Sequence, residues 1–357
     1  SADINNSSML SCFYTITNFY ETYGAKYNEI FSEVIKLAFG FLFSEDEEED
    51  VNDTGDSLEI KSAALEACCT YAESTEDLQL ALKLQEKCVD FFTRKYDQEI
   101  NNNGDDDEDD DTIEDIEYNA IKIGSNSSCL IAKLLNQEDA RTLFQNIYEY
   151  IKETEYPQCA SEALKPFTKF LHISGDEDKE FYLKYSHLLL NDVINGTLKA
   201  FHGKNIFNDQ IDLFLMTNIA YLIAEYVKYS SSTVDELCEF MIQIIKSSMD
   251  SAYLYSFIGA YSDVIKYNTG SAESVQAILD LIPQLLENAN DPDTKLNLAY
   301  LLLLFVQNDP QSIQSIQAFV PILQNWYEKG KESPNGNQIM LANIASAFLT
   351  FMANGME

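Results

Sequence analysis

Residues 281–305 read Leu281-Ile282-Pro283-Gln284-Leu285-Leu286-Glu287-Asn288-Ala289-Asn290-Asp291-Pro292-Asp293-Thr294-Lys295-Leu296-Asn297-Leu298-Ala299-Tyr300-Leu301-Leu302-Leu303-Leu304-Phe305. The apolar positions before the Asn290–Asp293 break fall at helical spacing, and so do those after it. Asn290-Asp291-Pro292-Asp293 therefore ends one helix and opens the next. Proline is tolerated at a helix start because first-turn N–H groups lack partners there anyway. Pro283 is different: inside the first helix of the pair it predicts a bend.

Outward from this hairpin, almost every segment between polar breaks has the same spacing, and no run alternates apolar and polar residues as a strand would. Taking 271–288 as a first helix fixes the register. Second helices are then expected at 57–73, 113–135, 157–172, 206–229, 251–268, 292–307 and 335–353, each preceded by a first helix. A helix at 6–22 would be the second helix of a pair whose first precedes Ser1. Second helices from 157 onward recur about every 41–49 residues, the mark of HEAT-type repeats. The apolar first helix with its proline, the Asp-Pro-Asp turn and Lys295 before an apolar second helix resemble the HEAT pattern, and a proline recurs at Phe319-Val320-Pro321-Ile322-Leu323. The expected fold is all-α, a right-handed α-α superhelix of about seven helix pairs, read as one array over 1–357. Each hairpin would bury its apolar face against its neighbours. The chain reads as a fragment of something longer.

Charge narrows the function. Acids number 59 against 23 basic residues, for a net charge of −36. A nucleic-acid binder needs clustered Lys and Arg, and Arg94 and Arg141 are the only arginines. Direct nucleic-acid binding is disfavoured, and the field would draw in basic partners. Two runs concentrate the charge. Residues 45–59 contain nine acids and residues 105–117 contain ten. Such runs self-repel and cannot bury apolar surface, so acidic loops are expected at 44–56 and 101–115. Both would join the two helices of one pair, in consecutive pairs. Neither is an EF-hand: counted from Asp50, Lys61 stands where glutamate is required, and counted from Asp105, Asp110 stands where glycine is required.

Chemistry is otherwise sparse. His172, His187 and His202 lie fifteen residues apart, which is not ligand spacing, and no phosphate-binding glycine loop or nucleophile motif appears. Of seven cysteines, without a CxxC pair, most sit in apolar helical patterns and read as reduced small hydrophobes, with Cys68 and Cys69 expected in the core. The longest apolar run, Ala299–Val306, is far shorter than the roughly 20 residues of a membrane span. No enzyme, metal or cofactor is expected.

One segment points to a family. Ser57-Leu58-Glu59-Ile60-Lys61-Ser62-Ala63-Ala64-Leu65-Glu66, followed by Cys68 and Tyr71-Ala72, resembles the importin-beta (karyopherin) superfamily, in the branch that carries ribosomal proteins and histones. There an acidic segment also precedes an Ile-Lys-x-x-Ala-Leu-Glu helix. The resemblance implies a C-terminal region of a receptor that shuttles between cytoplasm and nucleus. Such a receptor ferries basic cargo past nucleoporins and releases it on binding the GTPase Ran. Partner-binding acids are then expected in the loops, at Glu45, Asp46, Glu47, Glu48, Glu49 and Asp50, and at Asp105, Asp106, Asp107, Glu108, Asp109, Asp110 and Asp111. On inner second helices they are expected at Asp209, Asp212, Glu225 and Asp263. Two other readings remain open: a HEAT scaffold or adaptor of the phosphatase or adaptin type, and an acidic chaperone of histones or ribosomal proteins.

Overall fold

The computed structural model describes residues 6–43, 55–94, 110–230, 234–249, 251–268, 272–308, 318–332 and 338–353. Among them regular structure is helical throughout, with no strand. The described α-helices are α1 (Asn6–Tyr23), α2 (Asn28–Leu42), α3 (Gly55–Thr75), α4 (Leu78–Thr93), α5 (Asp110–Ile131), α6 (Gln137–Glu153), α7 (Pro157–Ile173), α8 (Asp176–Ile194), α9 (Leu213–Tyr229), α10 (Asp235–Ser247), α11 (Leu254–Tyr267), α12 (Ala272–Asn288), α13 (Pro292–Asn308), α14 (Val320–Glu332) and α15 (Gln338–Ala353).

The chain divides into two compact units, one of residues 1–185 with 198–202 and the other of 186–197 with 203–357. In the first unit α1, α3, α5 and α7 pack in succession, while α2, α4 and α6 cover α3, α5 and α7. In the second, α9, α11, α13 and α15 form the same kind of row, and α10, α12 and α14 pack on α11, α13 and α15. Each unit is thus a HEAT-type helical stack in the expected register.

Local chemistry sets the boundaries. Asp77 caps α4 by accepting the Leu80 N–H at 3.0 Å, and Asn136 caps α6 by accepting from Glu138 and Asp139 at 3.0 and 3.1 Å. Three expectations shift. Helix α9 begins at Leu213, later than 206, because the connection ahead of it has its own bonding: Asn205 Oδ1 accepts from the Phe207 N–H and Asp209 Oδ2 from the Asn205 N–H. Pro321 is the second residue of α14, so it starts that helix and does not bend its interior, whereas Pro283 lies inside α12. Residues 55–56 and 110–115, expected as loop, belong to α3 and α5. Acids in a first turn complement the helix dipole, which favours helix there.

The core is strongly aromatic. In the first unit the fully buried Phe144 stacks on Phe167 at 4.2 Å and meets Tyr182 edge-on at 4.7 Å. In the second, Phe257, Tyr261 and Phe305 are fully buried, and the Tyr261 hydroxyl donates to the Ser274 carbonyl at 2.9 Å. Burying a ring of this kind stabilises by about 1.5–3 kcal/mol. Cys68 and Cys69 are core residues, as their surroundings predict, while Cys12 is exposed.

Candidate functional site

In the second unit the second-helix row carries a cleft of about 360 Å³. Its floor is α11, where Ser256, Gly259 and Ala260 keep side-chain bulk low. Tyr221 and Ala224 of α9 form one wall; Leu296, Asn297 and Tyr300 of α13 form the other. Tyr255, Asp263 and Asp293 complete the lining.

Small residues on α11 decide how closely α13 approaches. The Asn297 side-chain amide donates to the Tyr255 carbonyl at 2.7 Å. A methyl group on Gly259 would lie 3.1 Å from the Asn297 amide nitrogen. Two further asparagines bond in the same way: Asn308 Nδ2 reaches the Ile265 carbonyl at 3.1 Å and Asn268 Nδ2 the Ser230 carbonyl at 3.3 Å. Side-chain amides at the ends of α13 and α11 thus meet the carbonyls at the ends of α11 and α9.

Electrostatically the cleft favours a cation. Asp263 is half-buried, and burial pushes its carboxyl above the usual range, opposed by Lys228 and Lys266. Burial, the neighbouring Tyr255 phenol and Asp293 push the Tyr221 phenol up, and the two tyrosines share a side-chain hydrogen bond. Neither the Asp263 nor the Asp293 carboxylate forms an ion pair among the described residues. The two nearby ammonium groups, which act on Asp263 from a distance, each have a closer contact of their own. Lys228 Nζ lies 2.8 Å from Glu225 Oε2. Lys266 Nζ lies over the Tyr267 ring, 4.8 Å from its centroid.

The acids singled out from the sequence have separate fates. Glu45–Asp50 and Asp105–Asp109 lie outside the described residues. Asp110 and Asp111 open α5. Asp209 is exposed in the turn before α9, not on a second helix. Asp212 is the N-cap of α9, its carboxylate accepting the Leu215 N–H at 2.8 Å. Glu225 is buried and held by Lys228. Of these four, Asp263 alone lines the cleft. Sequence reading missed Tyr221, Asp293, Asn297 and Tyr300. The available signal was the Ser256-x-x-Gly259-Ala260 spacing, which puts small residues on one helical face. His172, His187 and His202 are exposed, as expected for helix-surface and turn residues. Among the described residues no three His, Cys, Asp or Glu side chains are placed to hold a metal ion, and no helix is long and apolar enough to cross a membrane.

No protein-family description matches the sequence, and no curated protein matches it. The fold does match a solved structure, the crystal structure of Kap121p bound to RanGTP, with a TM-score of 0.55 and 12% sequence identity over 98% of this chain. The likeness is one of fold. The chain spans 32% of the length of that protein.

Proposed function

We propose that this chain is part of an importin-beta-type nuclear import receptor, a non-enzymatic scaffold that binds basic cargo proteins and moves between cytoplasm and nucleus. The likeness to Kap121p carries the reading, because it extends over 98% of the chain. The net charge of −36 supports basic cargo, since a field of that sign speeds encounter with cations and repels nucleic acid. Regulation by Ran is part of the proposal; the similar protein was crystallised with RanGTP. The acids at 45–50 and 105–111 would then provide long-range attraction.

Binding of a lysine-rich targeting peptide, with and without residues 44–54 and 101–109, tests the reading across salt concentrations. Affinity should fall steeply with salt and with deletion of both acidic runs. Salt-independent binding, or none, would sink it. Competition by Ran-GTP in the complete receptor separates transport from an acidic histone or ribosomal-protein chaperone, which needs no Ran.

A further inference from the structure

We infer that the cleft between α9, α11 and α13 is a socket for one cationic side chain, lysine or arginine, presented by a basic protein segment. The inference rests on the basic-cargo reading for its partner, but on this cleft alone for its geometry. Three observations point to a cation. Asp263 is a half-buried carboxylate with no hydrogen bond or ion pair among the described residues, and it lines the cavity. A buried charge of that kind is stabilised by an incoming opposite charge, because partial desolvation strengthens the attraction. Tyrosines 221, 255 and 300 supply ring faces and hydroxyl oxygens, both of which attract ammonium and guanidinium groups. The chain's own Lys266 sits over the Tyr267 ring at 4.8 Å, so the neighbourhood demonstrates the chemistry.

Size and charge balance agree. About 360 Å³ falls at the lower end of the range for ligand clefts, roughly 300–1,000 Å³, and accommodates a long aliphatic stem with its charged head. The floor of Ser256, Gly259 and Ala260 leaves that depth open, and Leu296 offers apolar contact to the stem. Glu225 does not compete for the guest, because Lys228 neutralises it at 2.8 Å. Asp263 and Asp293 remain the cleft's carboxylates outside any ion pair among the described residues, with Lys228 and Lys266 acting on Asp263 only from a distance. Asp263, the half-buried carboxylate, is the anchor, and the exposed Asp293 guides entry.

The test uses the full chain and three blocked tripeptides of the form Gly-X-Gly, with X lysine, arginine or the neutral, near-isosteric norleucine. Amide nuclear magnetic resonance follows the Gly259 backbone and the Asn297 side-chain amide. The lysine or arginine peptide should shift both signals saturably, and norleucine should not. Asp263→Asn should weaken binding by about tenfold or more, the loss expected for one charge-assisted contact. Tyr221→Ala, at a position 51% exposed and hence safe for the core, should weaken it severalfold. Whichever of lysine or arginine binds more tightly identifies the guest. Equal binding of norleucine, or no shift with any peptide, overturns the socket. A responsive cleft in a chain that fails the salt-dependence test keeps the socket and loses the transport reading. Salt-dependent peptide binding with a silent cleft does the reverse.

Discussion

The Asn297 side-chain amide donates to the main-chain carbonyl of Tyr255 at 2.7 Å, tying α13 to α11 beside the cleft. A carbonyl has two lone pairs, so Tyr255 can accept this bond while keeping its helical one. Asn308 holds the other end of α11 at Ile265, and Asn268 ties α11 to Ser230. Apolar contacts slide easily along a helix; directional bonds at both ends fix the register in which Tyr221, Asp263 and Tyr300 converge.

Asn297→Ala and Asn308→Ala should each destabilise by about 1 kcal/mol, the net value of one such bond. The double variant should be additive within about 0.5 kcal/mol, because the bonds share no partner. Urea denaturation monitored by circular dichroism measures both. A double variant no worse than either single one contradicts two independent ties.

Gly124 makes the close approach of α5 to α4. A methyl group there would lie 2.8 Å from Phe91 Cβ, an atom that cannot swing aside. Gly124→Ala should therefore destabilise by about 1–3 kcal/mol despite the better helix propensity of alanine. Phe91→Ala leaves this Cβ in place and should not rescue it; Phe91→Gly should relieve the overlap. Thermal melts of the three variants check this order.

Glu225 is buried beside Lys228, and the two meet at 2.8 Å. Lys228→Met leaves a buried carboxylate without its ammonium and should destabilise by about 1–3 kcal/mol, less than the loss of a fully buried pair because Lys228 is partly exposed. Glu225→Gln keeps hydrogen-bonding capacity and should cost less. Equal effects, measured by denaturant titration, would remove the argument that Glu225 serves the fold and not a partner.

Cysteine reactivity should follow burial. Burial pushes the Cys68 and Cys159 thiols up to about 12 and Cys238 up to about 11. A raised value means less thiolate at a given pH, so these residues should resist a disulfide reagent at pH 8 until the chain unfolds. Cys12 is exposed and should label first. Timed labelling followed by mass spectrometry tests this, and Cys12→Ser should abolish the fast phase.

Asp291 caps α13, its carboxylate accepting the Thr294 N–H at 2.7 Å. Burial alone would raise its pKa, but the Thr294 hydroxyl and several backbone N–H groups overcome that and hold it below the usual carboxylate range. A lowered folded-state value means stability present above the unfolded value, near pH 4, and lost as pH falls through the folded one. Asp291→Ala should cost about 1 kcal/mol at pH 7 and progressively less in acid. A pH-independent difference in urea midpoint would argue against the cap.

Periodicity alone determined the helical pairs and their register. The Asn290–Asp293 break, the apolar hairpin around it and the roughly 40-residue recurrence set which helices line up, because a stripe at 3.6-residue spacing can be buried in only one way. The burial of Cys68 and Cys69 was legible for the same reason. Charge, by contrast, is a property of the chain whose use depends on place. Asp212, Glu225 and Asp263 look alike in sequence, yet one caps a helix, one is neutralised inside the stack and one stands open in a cleft. Only packing separates them, because the cleft gathers side chains of α9, α11 and α13 from Tyr221 to Tyr300, and the small face of α11 that lets them converge acquires meaning only when α13 is laid against it.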